Sequence, residues 1–249
     1  MPTPRISYRR TAICGALLAA VAFAPPAGAR TVEFAFSASN FSDSLTIDNP
    51  YFPLLSGTTF VYKAEGKDGC EVDVTTVTTD TRLIDAVATR VVHDQAFEGD
   101  TCTTDPSALV EDTFDHYAQD DGGNVWYFGE DTFECEGSGN CTRGEGGWIA
   151  GEEGAEPGVI MLASPRSGDS YSQENAPDTA EDHATVTATG ISVKLTRDDA
   201  YPPGTFSNCI KTKEFTPLEK GSIEFKTYCP GVGLVTVEEH HGPVLRFEL

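Results

Sequence analysis

A chain of 249 residues with 39 acidic and 17 basic side chains carries a formal net charge of −22. Such a surface repels nucleic acid and anionic lipid, so neither is a partner. The length suits one large β domain or two small ones and is enough to bury a core.

The chain opens with a targeting segment. Arg5, Arg9 and Arg10 precede an apolar run from Thr11 to Ala24, and Ala27-Gly28-Ala29 forms a small-residue cleavage site. The expected mature chain therefore begins at Arg30, as a single β-rich domain over residues 30–249. Losing the leader removes three arginines and no acid, which takes the net charge to −25. The apolar run is too short to span a bilayer, and no later segment is long or apolar enough. Arg9-Arg10 leaves a twin-arginine export route open. Cys14 lies within the apolar run in a poor lipobox, so the expectation is a soluble secreted or periplasmic protein.

Strand signals fill the rest. Thr58–Lys63 and the β-branched, period-two run Glu71–Thr79 are expected strands, followed by Ala88–His93 across a turn at Asp85-Ala86. Glu111–Ala118 and Asn124–Glu130 form a hairpin around Asp120-Asp-Gly-Gly123. Glu136–Gly158 reads as a loop with one ordered turn near Trp148 and Ile149. Further strands are expected over 183–188, 191–196, 206–215, 222–229 and 233–238. Helical periodicity is nearly absent. The fold class is all-β, an antiparallel sandwich or a curved, barrel-like sheet. Pro53-Leu-Leu-Ser-Gly57-Thr-Thr-Phe60 is echoed by Pro165-Arg-Ser-Gly168-Asp-Ser-Tyr171, and a hairpin follows each. The echo fits two similar β-meander halves, 45–160 and 161–249, or a recurrent turn that starts a strand.

Six cysteines remain after the leader, an even number that implies a disulfide framework. Cross-strand neighbours lie symmetrically about a hairpin turn. The midpoints of Cys70 and Cys102, Cys135 and Cys141, and Cys209 and Cys229 all fall on turn sequences. These three sequential pairs are the expected disulfides, each worth roughly 2–4 kcal/mol. There is no Cys-x-x-Cys spacing for a thiolate metal site.

Several phrases together resemble a group of secreted bacterial proteins of no assigned activity. They are Asn49-Pro-Tyr-Phe-Pro-Leu54, Glu111-Asp-Thr-Phe-Asp115, Tyr117-Ala-Gln-Asp120, Gly123-Asn-Val-Trp-Tyr-Phe-Gly-Glu130, Lys211-Thr-Lys-Glu214 and Pro230-Gly-Val-Gly-Leu234. The resemblance covers most of residues 45–238. It implies a β-rich exported protein and carries over no catalytic residue.

Residues 110–131 hold seven carboxylates and five aromatic rings, the densest such mixture in the chain. With the turn centred between Asp121 and Gly122, one face carries Glu111, Asp115, Tyr117, Trp126, Phe128 and Glu130, and Asp112 faces Asp131. Three readings follow. Glu111, Asp115 and Glu130, or the loop residues Asp120, Asp121 and Asn124, are oxygen ligands for a hard cation such as Ca²⁺. Alternatively Tyr117, Trp126 and Phe128 form a platform for a saccharide or an apolar small molecule. In the third reading the rings are core and the acids are the wet face of a sheet. An enzyme reading, with Glu111 and Asp115 as a glycosidase-like pair, has only that spacing behind it. The acid–imidazole neighbours, such as Asp115-His116, do not form dyads, because adjacent strand residues point to opposite faces. The expected function is therefore an exported binding protein for a small molecule, saccharide or cation.

Overall fold

The computed structural model describes residues 30–66, 69–137, 139–195, 204–239 and 244–248. The expected leader and the His240-His241 pair lie outside the described residues. Sixteen strands and two single-turn 3₁₀ segments, Ala38–Asn40 and Pro106–Ala108, make up the described regular structure.

The first meander comprises β2 (Thr59–Gly66), β3 (Gly69–Ile84), β4 (Val87–Gly99), β5 (Leu109–Gln119) and β6 (Val125–Cys135), each antiparallel to the next. Its Val- and Thr-rich strands turn tightly. β3 and β4 are joined by Asp85 and Ala86 alone, both at positive φ (45° and 64°), as a two-residue hairpin whose twist matches its strands requires. Along the free edge of β6 lie β7 (Cys141–Arg143), β8 (Trp148–Ile149) and β9 (Glu156–Met161). The stretch 136–158, expected as a loop, thus contributes strand pairing, because Gly144, Gly147 and Gly158 let backbone approach β6 and β9 closely.

The second meander runs through β10 (Asp169–Ser172), β12 (His183–Leu195), β13 (Gly204–Phe215), β14 (Ile223–Cys229), β15 (Gly233–Glu239) and β16 (Val244–Glu248). The two expected strands 183–188 and 191–196 are one strand, β12, whose register slips at three places. β16 pairs with β2 and joins the meanders edge to edge. On the other side, β11 (Glu174–Asn175) pairs with β9, while β10, one residue earlier in the chain, pairs with β12. The sheet path therefore returns to its own start through Gln173. Both Gln173 and Glu174 donate their N–H groups to the Asp182 carbonyl at this corner. The result is an all-β, curved, barrel-like sheet.

The echoed sequence forms the same turn twice. Gly57 and Gly168 both sit at positive φ (89° and 93°). Gly57 N–H donates to Val77 O at 2.7 Å, and Gly168 N–H donates to Val186 O at 2.8 Å. Each turn thus hooks the start of a strand onto a fully buried valine of a neighbouring strand.

All three expected disulfides are present: Cys70–Cys102, Cys135–Cys141 and Cys209–Cys229. They fit an oxidising, extracellular-type environment. No helix among the described residues is long and apolar enough to cross a membrane.

Two segments close the sheet's surfaces. Ile47, Tyr51, Phe52 and Leu54 pack with Val77, Val92, Ile210 and Tyr228, and Phe52 meets the rings of Tyr117 and Tyr228. Buried Asn49 fixes this plug: its amide donates to the Gly123 and Leu162 carbonyls and its oxygen accepts from Tyr51 N–H. The second segment, a strap over residues 32–41, lays Phe34, Phe36 and Phe41 against Trp126 and Phe128. It starts at β1 (Arg30–Thr31), which pairs in parallel with β10, and Arg30 forms an ion pair with buried Asp169 at 2.7 Å.

The tightest approach in the closing seam is at Gly158, where a Cβ would run into the Gln173 carbonyl oxygen. Gly158→Ala should lower unfolding free energy by roughly 2–4 kcal/mol in urea titrations. Gly204→Ala, whose added methyl meets open space, should fall within about 0.5 kcal/mol of the parent.

Candidate functional site

The register of β5 against β6 decides what the acidic–aromatic hairpin can do. Its loop holds five residues, Asp120–Asn124, between Gln119 and Val125. A β-bulge at Phe128-Gly129 then inserts one more residue into β6, between the Tyr117–Tyr127 and Asp115–Glu130 pairs. Gly129 takes φ 112°, and a Cβ there would overlap the Trp148 carbonyl. These two irregularities move the expected pairs. Asp112 faces Phe133, not Asp131, and Tyr117 faces Tyr127, not Trp126.

The expected platform is therefore divided. Tyr117 stacks on Tyr127 on one face, with centroids 4.8 Å apart. Trp126 faces Ala118 on the other face, under the strap, and buried Phe128 contacts Phe36 and Phe41 there. The three rings do not share one surface.

The loop carboxylates hold structure. Asp120 accepts from the Gly122 and Asn124 N–H groups, the Asn124 amide and, at 2.8 Å, the Trp126 indole. Asp121 accepts from the N–H and hydroxyl of Ser42, which pins the loop to the strap. The Asn124 oxygen accepts from Ala163 N–H. The expected loop ligands Asp120, Asp121 and Asn124 are thus used to fix the chain.

Of the expected trio Glu111, Asp115 and Glu130, two come together. Asp115 faces Glu130 directly. Both are buried, and the Tyr127 hydroxyl lies 2.6 Å from Asp115 Oδ1 and 3.0 Å from Glu130 Oε2. The Tyr127 hydroxyl thus bridges the two carboxyl groups. Glu111 lies two rungs along the same face and accepts from the Thr113 hydroxyl at 3.1 Å. Among the described residues, no three acidic, histidine or cysteine side chains converge on a metal-sized point.

Extending these rungs across the sheet shows what the sequence reading missed. One rung runs Tyr62–Asp73–Ala96–Glu111–Glu134, the next Phe60–Thr75–Asp94–Thr113–Thr132, and the third Val77–Val92–Asp115–Glu130. The inward side of the first meander is thus a field of carboxylates, threonines and tyrosines. Thr75 donates to Asp94 at 2.9 Å. Thr132 Oγ1 is buried without a hydrogen-bond partner among the described residues. Burial pushes Asp73 well above the usual carboxylate range, and Asp94, Glu71, Glu111 and Glu98 push it further. Burial also raises Asp94, against the Thr75 hydrogen bond that favours its charged form.

The second meander adds a cation. Lys226 Nζ lies 2.8 Å from Glu214 and 3.2 Å from Glu224. The Thr212 and Tyr228 hydroxyls donate to Glu214. Burial alone would lower the Lys226 pKa, but the two carboxylates outweigh it and hold the ammonium charged. The inward space is not packed solid, since the Lys226 side chain keeps 27% of its exposure and Tyr62, Asp73 and Asp94 are only half-buried.

His116 illustrates the alternation along β5. It projects away from Asp115, and its Nε2 lies 3.1 Å from Arg82, which also pairs with Asp131. Burial and the Arg82 charge lower its pKa to about 4. His93 is likewise on the outer face, 2.6 Å from Asp112 and stacked on Phe114. Neither imidazole reaches the Asp115–Glu130 pair.

The raised carboxyls make a pH prediction. A carboxyl whose folded pKa lies above its unfolded value binds protons more tightly when folded. Asp73 and Asp94 therefore contribute stability that grows as pH falls from their raised values toward about 4. His116 acts oppositely and costs stability as pH falls from about 6.5 toward 4. Asp73→Asn should raise the melting temperature at pH 8 and flatten its gain on acidification. A variant that melts lower at pH 8, with an unchanged pH slope, would contradict the assignment. Comparison with known protein families, curated proteins and solved structures finds no match for this chain.

Proposed function

We propose that this chain is an exported binding protein whose barrel interior takes a small cationic ligand. The observation that carries the reading is the facing of Asp115 and Glu130 across one Tyr127 hydroxyl. Like charges directly opposite each other on a sheet are destabilising, and burial strengthens their repulsion. A positively charged guest placed beside them would be attracted by both carboxylates. Asp73 and Asp94 add further carboxyl groups along the same face, and Tyr62, Tyr117 and Tyr127 line it with rings that attract cations. The Thr132 hydroxyl, buried without a hydrogen-bond partner among the described residues, is consistent with a guest. Export is supported by the leader-like start, the disulfides and the phrases shared with secreted bacterial proteins.

The test is a melting-temperature panel at constant ionic strength, with Ca²⁺, Mg²⁺, spermidine, tetramethylammonium and a neutral control. A cation that binds should raise the melting temperature by roughly 5 °C or more at a hundredfold excess over its Kd. Asp115→Asn/Glu130→Gln should keep the fold and lose that shift. No response to any cation at about 10 mM, or a shift the double variant retains, would overturn the reading.

A further inference from the structure

The barrel wall is incomplete where it closes. β11 gives β9 only two paired residues, Glu174↔Pro157 and Asn175↔Glu156, and beyond them β10 turns away to pair with β12. A cleft of about 550 Å³ occupies this gap, bounded by Gly158 and Val159 on one side, Ser170–Ser172 on the other, and the strap residues Thr31–Phe34. Its size falls within the roughly 300–1,000 Å³ of small-molecule sites.

The lining has a definite chemistry. Phe34 supplies an exposed ring; Trp126 and Tyr171 border the cleft but are themselves buried, the latter alternating with Ser172 and facing the Glu214 side. Phe34 is 36% exposed and meets Trp126 edge to face at 5.6 Å, so it presents ring surface to solvent with Trp126 as its support. Ser172, Asn175 and Glu181 add hydroxyl, amide and carboxylate groups. His183 also lines the cleft and lies 3.2 Å from the Ser172 hydroxyl. Burial holds its pKa below the ordinary imidazole value, against the pull of Asp182 and Glu181, so near neutral pH it is an uncharged donor and acceptor. The Tyr171 hydroxyl is buried and has no hydrogen-bond partner among the described residues. Among the described residues, no lysine or arginine lines the cleft, which disfavours phosphates and carboxylates.

We infer that the seam cleft is a saccharide-binding site. An aromatic ring flanked by hydroxyl, amide, imidazole and carboxylate groups suits a ligand with an apolar ring face and hydroxyls that both donate and accept. Of the three rings expected from sequence to form a saccharide platform, Trp126 alone borders this cleft, as the support for the exposed Phe34. The site lies on the strap side of the wall and does not depend on the cation reading of the interior.

The experiment is calorimetric titration of the full mature chain with neutral di- and trisaccharides of glucose, galactose, mannose and N-acetylglucosamine. At least one should bind with an affinity that does not change between low and moderate salt. Phe34→Ala should weaken it by roughly tenfold or more, and Glu181→Gln, at the half-buried rim, should weaken it without lowering the melting temperature. Asp115→Asn/Glu130→Gln should leave it unchanged, which separates this site from the interior one. A silent panel would overturn the inference. So would binding lost in the Asp115/Glu130 variant but kept in Phe34→Ala and Glu181→Gln.

Discussion

The closure of the sheet at Gln173 sets the character of the whole interior. Within two residues the chain leaves one neighbour, β12, and takes up another, β9, with the Asp182 carbonyl serving both N–H groups at the corner. Only Gly158 admits the passing backbone there. A sheet left open at this seam would present the Asp73–Asp94–Asp115 field to bulk water, where high dielectric and mobile ions weaken such charges. Closing the path keeps these carboxylates in an enclosed space, where each one's proton or counter-charge becomes a property of the fold. Burial raises Asp73 and Asp94, while Lys226 keeps its charge against burial because Glu214 and Glu224 stand beside it.

The sheet is unusual in which face it makes polar. In a sheet with one wet side, apolar residues point to the core and polar ones outward. Here Val72 and Phe97 lie on the outer face of β3 and β4, in a separate apolar cluster with Cys70, Leu109 and Cys135 at the disulfide-bonded end. Asp73 and Asp94 take the inner face. At the other end of the same strands the pattern reverts: Val77 and Val92 point inward onto the Phe52 plug. The interior is therefore graded, apolar beneath the plug and acidic toward the disulfides. The two disulfides Cys70–Cys102 and Cys135–Cys141 brace the end at which inward apolar packing is replaced by charge.

The sequence made much of this legible. Turn symmetry identified all three disulfides, because a hairpin's covalent partners are fixed by where its turn lies and tolerate a slip of a residue or two. Cys70 in fact faces Gly99, and Cys102 reaches it from beyond the strand end. Side-chain orientation has no such tolerance, since a slip of one residue exchanges the faces. The five-residue loop and the bulge at Phe128-Gly129 were enough to separate Tyr117 from Trp126, and to put Asp115 opposite Glu130. Gly129 between Phe128 and Glu130 was the available signal, since an isolated glycine inside a strand pattern marks a bulge. The part played by Asp73 and Asp94 was hidden for another reason. The alternation of Asp73 with Val72 and Val74, and of Asp94 with His93 and Gln95, is an ordinary strand pattern, and only the curl of the sheet decides which side faces inward. The recurrent Ser-Gly turn at Gly57 and Gly168, by contrast, was visible as sequence and forms the same hydrogen bond in both places.

The docking of β1 onto β10 also fixes an order of events in time. Arg30 and Asp169 are 139 positions apart, and β10 itself depends on β12 for its other edge. The β1 rung therefore waits for the second meander, whereas the strap's rings rest on Trp126 and Phe128 of the first. The first described residues, Arg30 and Thr31, thus meet their partners late in the chain's order. Contacts of such long separation slow folding, so the β1–β10 rung and the Arg30–Asp169 pair are late contacts that lock a strap already seated on β6.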